Sequence, residues 1–216
     1  RAIELSPGRA ETWGDTATLL FLLGRLDEAI ALTDHVVRMD PLNATSWFNH
    51  GLILAADHRW DESISAFRTV LRLSPDASEA HYYLALSLLG AGSTEEALAE
   101  IELESIPERQ SQGRAMIYSA LNLEQESDAA LQDFVEYQPS PMDVAKVHAA
   151  RGETNLAFEW LETAVQAASP ELAEIHVDPW LASLKSDPRW IELVAQLGRS
   201  PEQLEVIRFD VVLPGG

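Results

Sequence analysis

The chain of 216 residues contains 35 acidic and 15 basic residues, which gives a formal net charge of −20, and 46% of its residues are hydrophobic. Such a surface repels a phosphate backbone, and no cluster of Lys and Arg with interleaved aromatic residues offsets this, so we expect no binding of nucleic acid through this region. The chain has no cysteine, which removes disulfides, thiolate metal sites and cysteine nucleophiles together. No hydrophobic run is long enough to cross a bilayer, so we also expect no membrane insertion.

The first half of the chain repeats itself with a period of 34 residues. Three registers recur at this spacing: Trp13, Trp47 and His81; Pro7, Pro41 and Pro75; Leu5, Met39 and Leu73. Because three registers at one period rarely coincide by chance, the pattern indicates a repeat protein. Residues 1–7 resemble the last turns of a helix with its terminating proline, so we interpret them as the end of a truncated preceding repeat.

Each unit is predicted to consist of two helices, as the central unit illustrates. Asn43 is expected to cap the first helix and Asp61 the second, and Pro75 ends the second because proline cannot continue the hydrogen-bond ladder. Gly51 and Ser63 are small, so the two helices can approach each other closely. Since neither helix can bury its apolar stripe alone, stacked units are expected to share one continuous core.

The repeated unit resembles the tetratricopeptide repeat. The resemblance is carried by Trp13 or Trp47 early in the unit, a small residue four positions later, Gly24 or Gly92 at the turn, Ala29 or Ala97 in the second helix, and Pro41 or Pro75 at the end. It implies an all-α fold, a right-handed superhelical solenoid of helix-turn-helix repeats with a C-terminal helical cap. It also implies a protein–protein interaction scaffold that binds a peptide or protein segment in its concave groove.

The sequence predicts one array of about five repeats over residues 8–169, followed by capping helices and an extended tail over residues 170–216. The fourth and fifth repeats are degenerate. In the fourth, Asn122 takes the place of the turn glycine, because asparagine tolerates left-handed backbone geometry. The array is expected to form one cooperative unit, since each repeat contacts its neighbours.

Three helix starts are predicted in the closing segment. Each combines a capping side chain with proline at the first helical position: Asp178 with Pro179, Asp187 with Pro188, and Ser200 with Pro201. The apolar residues expected to cover the exposed end of the last repeat are Trp180, Leu181, Leu184, Trp190, Leu193, Val194 and Leu197. An array without such a cap would leave core residues in water.

Residues 144–198 also resemble the closing segment of tetratricopeptide regions in large bacterial regulators. The resemblance rests on Gly152, Ala157, Phe158, Trp160, Leu161, Asp178, Pro179, Leu184, Asp187, Pro188 and Trp190. In those relatives the repeats are often attached to a winged-helix DNA-binding domain, a nucleotide cyclase or a Ser/Thr kinase, none of whose motifs occurs here. A second interpretation therefore stays open, in which the chain is a sensory or self-association arm of a longer regulator, and homo-oligomers would form. A cytoplasmic location is favoured, and a periplasmic one would follow if the parent chain had an upstream membrane span.

An enzyme is the weakest hypothesis. The sequence contains no glycine-rich phosphate loop, nucleophile elbow or zinc-binding His-Glu helix motif. Most of the six histidines occupy repeat positions that structure alone explains; His50 and His81 could be neighbours on stacked first helices, although structural pairs are far commoner than metal or catalytic sites. We predict no catalytic residue, no metal and no cofactor.

The predicted binding surface is the face of the first helices that lies opposite the packed stripe. It comprises Asp15, Thr18, Phe48, Asn49, Leu52, Tyr82, Tyr83 and Leu86. Aromatic residues with a polar handle are favoured at recognition surfaces. The alternative is that these aromatic residues only fill the spaces between neighbouring first helices, because a helical aromatic stripe is often core.

The predicted ligand follows from the charges around this surface. Glu11, Asp15 and Glu79 give it acidic edges, and Asn49 alone could contribute to a clamp for a peptide's terminal carboxylate. We therefore predict no carboxylate clamp, and a protein or peptide partner that is apolar with some positive charge.

Overall fold

A computed structural model describes residues 10–207 and residue 211, without the side chains of residues 10–12. The first ten helices are α1 (Ala10–Leu22), α2 (Leu26–Met39), α3 (Ala44–Ala56), α4 (Trp60–Leu73), α5 (Ala80–Gly90), α6 (Thr94–Ile101), α7 (Pro107–Ala120), α8 (Glu124–Glu136), α9 (Pro141–Ala150) and α10 (Thr154–Gln166). Two 3-10 helices, Pro170–Glu174 and Pro179–Ser186, then precede α11 (Pro188–Gln196) and α12 (Pro201–Glu205). Within these described ranges the regular structure is helical throughout, and no helix has the length and apolarity that crossing a membrane requires.

The first ten helices form five antiparallel pairs that share one turn geometry. In each pair the residue before the second helix's N-cap has a positive φ: Gly24 (72°), His58 (57°), Gly92 (82°), Asn122 (58°) and Gly152 (75°). Glycine enters this left-handed region at no steric cost, and asparagine more readily than most residues. The structure thus confirms that Asn122 stands at a turn-glycine position.

The helix caps agree with the sequence at Asn43 and differ at Asp61. The side chain of Asn43 accepts a hydrogen bond from the backbone N–H of Ser46 at 3.1 Å and caps α3, as predicted. The prediction for Asp61 is wrong, because α4 begins at Trp60 and Arg59 is its N-cap residue. Asp61 lies in the first turn, where its charge favours the positive end of the helix dipole.

The predicted small residues lie at the contact between the paired helices. A Cβ atom at Gly51 would be 2.9 Å from the ring of Phe67, which is fully buried. The hydroxyl of Ser63 donates a hydrogen bond to the carbonyl oxygen of Gly51 at 2.9 Å. The second pair is therefore held by close backbone approach, and the apolar side chains of α3–α8 join in one continuous core across the pairs.

The closing segment begins its helices where the sequence predicted. The carboxylate of Asp178 accepts a hydrogen bond from the N–H of Trp180 at 2.9 Å, and that of Asp187 accepts one from Arg189 at 3.0 Å. Ser200 forms a capping box that starts α12. Buried side chains of this segment pack on α9 and α10: Leu172, Ile175, Leu181, Leu184, Trp190, Leu193 and Val194.

The array curls back so that its end meets its beginning. Arg199 donates a hydrogen bond from Nη1 to the carbonyl oxygen of Leu22 at 3.2 Å, and Val211 packs against the buried cluster of the first pair. Trp180, which we expected to cover the end of the last repeat, packs on Trp60 of the second pair. The end of the truncated repeat predicted for residues 1–7 lies outside the described residues, as does most of the predicted tail.

Candidate functional site

A cavity of about 330 Å³ lies on the inner face of the array. Its floor is formed by the first helices of the pairs, α1, α3, α5, α7 and α9. Its opposite wall is formed by Glu171, Glu174, Val177 and the stretch Asp178–Trp180 of the closing segment. The inner face is therefore not an open groove at this level, because the chain's own C-terminal part lies across it. We call this space the inner cavity.

Six of the eight residues predicted for the binding surface line the inner cavity: Thr18, Asn49, Leu52, Tyr82, Tyr83 and Leu86. Asp15 is exposed and does not reach it. Phe48 packs edge-on between the rings of Phe67 and Tyr83, at centroid distances of 5.5 and 5.3 Å. Phe48 therefore fills the space between neighbouring repeats, as in the alternative interpretation. Tyr83 contributes both to the core and to the cavity wall.

Two of the predicted polar features have partners within the chain. The hydroxyl of Thr18 donates to the carbonyl oxygen of Gly14 at 3.1 Å. Glu79, expected as a free acidic edge, pairs with Arg109 through Nε at 3.2 Å. Asn49 is exposed at the cavity, and the side chain of Glu11 lies outside the described residues.

A chain of five charged side chains runs along the cavity and joins three of the helix pairs to the closing segment. Arg109 contacts Glu79 and Asp143, both at 3.2 Å. Lys146 contacts the other oxygen of Asp143 at 3.2 Å and a carboxylate oxygen of Asp178 at 3.1 Å. All five side chains are at most 29% exposed. We call this set the inner ion-pair chain.

The pKa values of Asp143, Lys146 and Arg109 are all shifted toward the charged forms. Burial disfavours the charged form of Asp143, but the attraction of Lys146 and Arg109 outweighs it and lowers the pKa. Burial likewise opposes the charge on Lys146, whereas Asp178 and Asp143 raise its pKa well above the ordinary value. The pKa of Arg109 is raised in the same way, against burial, by Tyr82 and the neighbouring carboxylates. These three groups therefore form a fixed electrostatic frame along the cavity.

Two carboxylates on the cavity wall stand outside this frame. Oε2 of Glu171 is enclosed and has no hydrogen-bond partner among the described residues. Glu174 is an exposed residue whose carboxyl forms no ion pair there either; partial desolvation raises its pKa against the attraction of Lys146. Lining the cavity are four acidic side chains, Asp143, Glu171, Glu174 and Asp178, and two basic ones, Arg109 and Lys146. The cavity therefore carries an uncompensated negative charge.

Aromatic rings form the remaining walls. The indole rings of Trp60 and Trp180 lie 6.0 Å apart at an angle of 38°. Burial raises the pKa of the Tyr83 hydroxyl to about 12, and that of Tyr82 rises well above 10 for the same reason. Both phenols therefore stay neutral, and can serve as hydrogen-bond donors.

The sequence reasoning missed most of the charged residues of this cavity, although one signal was present. Arg109 and Asp143, which form an ion pair, are separated by 34 residues, the period of the repeat. Opposite charges one period apart fall on neighbouring first helices, so a search at this spacing would have found the pair. Glu171, Glu174 and Trp180 gave no such signal, because they follow the last repeat.

The histidines do not come together. His50 shares a hydrogen bond of 2.8 Å with Thr33, and His81 is bonded to Glu100, so each of these two imidazoles has a partner of its own. In the part of the chain that the structure describes, no group of three or more His, Asp and Glu side chains could hold a metal ion.

Comparison with known proteins bears on the fold. Residues 15–67 and 48–113 match the family described as the tetratricopeptide repeat. A thermophilic protein of this repeat class from Thermus thermophilus is 14% identical over 82% of this chain and 99% of its own, with a TM-score of 0.61. A tetratricopeptide repeat protein from Parabacteroides merdae is 15% identical over 96% of this chain and 83% of its own, with a TM-score of 0.58.

A third solved structure, YrrB, is described as a tetratricopeptide repeat protein with an unusual peptide-binding site. It is 20% identical over 81% of this chain and 94% of its own, with a TM-score of 0.51. At such identities these likenesses concern the fold alone, and they confirm the predicted all-α solenoid of helix-turn-helix repeats. No protein with a curated description matches the sequence, and the resemblance of residues 144–198 to bacterial regulators stays a prediction.

Proposed function

Since residues 15–113 match the tetratricopeptide repeat family, we propose that this chain is an interaction scaffold whose inner cavity takes a positively charged side chain from a partner protein or peptide. Repeats of this kind build binding surfaces on their concave side. The observation that carries the proposal is the pair of carboxylates, Glu171 and Glu174, neither of which forms an ion pair among the described residues, on a wall that also carries aromatic rings.

The size of the inner cavity limits what can enter it. Its volume of about 330 Å³ is at the lower end of the ~300 to 1,000 Å³ typical of small-molecule pockets. This is room for one or two side chains and not for an extended peptide along the whole array. The proposal therefore narrows the sequence-based expectation of a peptide or protein segment in the concave groove to the insertion of one or two side chains.

The chemistry of the walls selects a cation. The partner's ammonium or guanidinium group would compensate the carboxylates of Glu171 and Glu174, and its aliphatic stem would lie against the rings of Trp60 and Trp180. A cation near aromatic faces gains about 0.5 to 2 kcal/mol, more when it is desolvated. The net charge of −20 would also steer a basic partner toward the chain.

A peptide series tests this proposal. Four fluorescein-labelled nonapeptides share an Ala and Leu framework and carry Arg, Lys, Met or Glu at the central position, and anisotropy gives their dissociation constants. We expect the Arg and Lys peptides to bind at least tenfold more tightly than the other two. Equal affinities across the series, or tightest binding of the Glu peptide, would contradict the proposal.

Isosteric variants locate the binding. Glu171→Gln combined with Glu174→Gln removes both charges with little change of shape, and the preference for Arg and Lys should disappear. Glu192→Gln, at an exposed acidic position on α11, is the matched control and should bind as the unaltered chain does. Substitutions at Phe48 or Tyr83 are unsuitable for this purpose, because both rings pack in the core between repeats.

We also propose a division of the chain into a repeat array and a cap. We assign residues 8–169 to the repeat array and residues 170–216 to a cap that also completes the inner cavity. A chain ended at residue 169 should expose the apolar faces of α9 and α10 and bind a hydrophobic dye. A monomeric, dye-free product with unchanged stability would contradict this assignment.

Self-association as the arm of a longer regulator is the alternative that the sequence left open. Sedimentation equilibrium over a hundredfold range of concentration tests it. A monomer throughout that range would remove self-association, and a dimer that persists with the Glu171→Gln and Glu174→Gln changes would place it on another surface.

A further inference from the structure

A second cavity, of about 610 Å³, lies where the end of the array meets its beginning. One side is formed by the α1–α2 turn, residues 23–26, and the other by His176, Lys185, Arg199 and α12. The hydrogen bond from Arg199 to the carbonyl oxygen of Leu22 closes the contact between the two sides. We call this space the seam cavity. It shares Ala56 and Val177 with the inner cavity but none of the charged side chains, and its role does not depend on the function proposed above.

The seam cavity collects basic side chains that lack acidic partners. In the part of the chain that the structure describes, most Lys and Arg side chains form ion pairs, and the exceptions are Arg72, Lys185 and Arg199. Two of these three line this one cavity. Such a concentration of unpaired positive charge is unusual in a chain with a net charge of −20, because nearby carboxylates normally neutralise basic residues.

His176 adds unused hydrogen-bonding capacity to the same wall. Both of its ring nitrogens are enclosed and neither has a hydrogen-bond partner among the described residues. Its ring lies against Gly24, where an added Cβ atom would be 3.4 Å from it. Buried polar atoms are normally satisfied, so an unsatisfied imidazole calls for an explanation, of which an absent ligand is one.

The charges of Lys185 and Arg199 both act on His176. Burial, followed by the charges of Arg199 and Lys185, lowers the pKa of His176 to about 4. Burial also lowers the pKa of Lys185, and Asp178 opposes this only in part. An anion placed among the three groups would raise the pKa values of His176 and Lys185 again, because its negative charge stabilises their protonated forms where burial has removed water.

We propose that the seam cavity binds a small organic anion, with its carboxylate or phosphate group held by Lys185, Arg199 and His176. The rest of the wall is mostly apolar, with Leu23, Leu26 and Leu204 among its residues, so the ligand has an apolar body. Two further charged residues line the wall: Glu205, and Arg25, which pairs with Glu28. Because the wall comes from both ends of the array, bound ligand stabilises the closed form.

Calorimetric titration with hexanoate tests the site on the full chain. Hexanamide has a similar shape without the charge and serves as the neutral comparison, and inorganic phosphate tests the anionic group without an apolar body. We expect saturable binding of hexanoate, at least tenfold weaker binding of hexanamide, and competition by phosphate if the anionic group alone is sufficient. Absence of saturable binding for both hexanoate and phosphate, or equal binding of hexanoate and hexanamide, would overturn the proposal.

Variants assign the binding to the seam cavity. Lys185→Gln and Arg199→Gln should each weaken hexanoate at least tenfold, whereas Arg72→Gln, which removes the third unpaired basic side chain, should leave it unchanged. Circular dichroism checks that each variant is folded; should Arg199→Gln unfold, Lys185→Gln decides alone. Equal affinity in Lys185→Gln and the unaltered chain would overturn the proposal.

Discussion

The indole rings of Trp60 and Trp180 lie 6.0 Å apart, although one residue begins the second helix of the second pair and the other belongs to the closing segment. This contact and the Arg199–Leu22 hydrogen bond turn an open array into a closed one. The closure forms the inner cavity and the seam cavity, so both proposed sites depend on it.

Trp180→Ala should weaken the closure. Trp→Ala at a fully buried position costs about 3 to 5 kcal/mol, and Trp180 is partly buried, so we expect a loss of about 1 to 2 kcal/mol in the free energy of unfolding by urea. Ile191→Ala is the control, because Ile191 is 65% exposed and its loss should cost less than about 0.5 kcal/mol. Equal effects of the two changes would mean that the contact contributes nothing to stability.

Gly51→Ala and Gly14→Ala should have opposite effects. Both glycines lie inside helices, where alanine is favoured by about 0.5 to 1 kcal/mol. At Gly51 the new methyl group would lie 2.9 Å from the buried ring of Phe67, whereas at Gly14 it would meet no atom of the described residues within 4 Å beyond its own helical turn. We expect Gly51→Ala to lower the free energy of unfolding by about 1 to 3 kcal/mol and Gly14→Ala to raise it. Chemical denaturation measures both, and a stabilising Gly51→Ala would refute the close approach of the two helices.

Asp143→Asn should lower the free energy of unfolding, measured by urea denaturation. It leaves Arg109 and Lys146 facing each other without the carboxylate between them. Breaking a fully buried ion pair costs about 3 to 5 kcal/mol, and the partial exposure of these side chains reduces our expectation to about 2 kcal/mol. Asp34→Asn is the matched control, since its pair with Arg38 is at the surface and should contribute less than about 1 kcal/mol. Similar losses for both variants would show that the inner ion-pair chain has no special role.

His176 should make the chain less stable as the pH falls. The folded state lowers its pKa from 6.5 to about 4, so between these values the unfolded chain binds a proton that the folded chain does not. Stability should therefore be full above about pH 6.5 and decline toward pH 4. Asp143, whose pKa is also lowered, contributes a loss of the same sign, which is why a variant comparison is needed.

The comparison is between the unaltered chain and His176→Gln, which cannot take up a proton. The difference in their free energies of unfolding should change between pH 7 and pH 5, with the unaltered chain losing more. A constant difference across this range would contradict the enclosed, neutral imidazole. Hexanoate should reduce this loss of stability at low pH, because an anion next to His176 favours its protonated form.

The sequence predicted those features that depend on neighbours along the chain. The caps at Asn43, Asp178 and Ser200 were identifiable because a capping side chain bonds to a backbone N–H two or three residues ahead. Asp61 misled us, since it follows the true start of α4 by one residue and acids are common throughout a first helical turn.

The closure could not be predicted from the sequence. It depends on the small rotation between successive helix pairs, which accumulates over the array and decides whether Trp180 reaches Trp60 or solvent. For the same reason, only part of the binding surface could be predicted. The floor of the inner cavity follows from helical periodicity, and Leu52 and Leu86 were found in this way, but its opposite wall comes from a segment whose path periodicity does not define.

The measurement that tests the central claim most directly is an NMR titration of the tryptophan indole N–H signals with the Arg nonapeptide. If the inner cavity binds the cation, the signals of Trp60 and Trp180 shift and saturate together, while those of Trp13 and Trp190, buried in clusters at the two ends of the array, stay in place. Saturating shifts at Trp13 or Trp190 with Trp60 and Trp180 unchanged would show that the peptide binds elsewhere and would contradict the account.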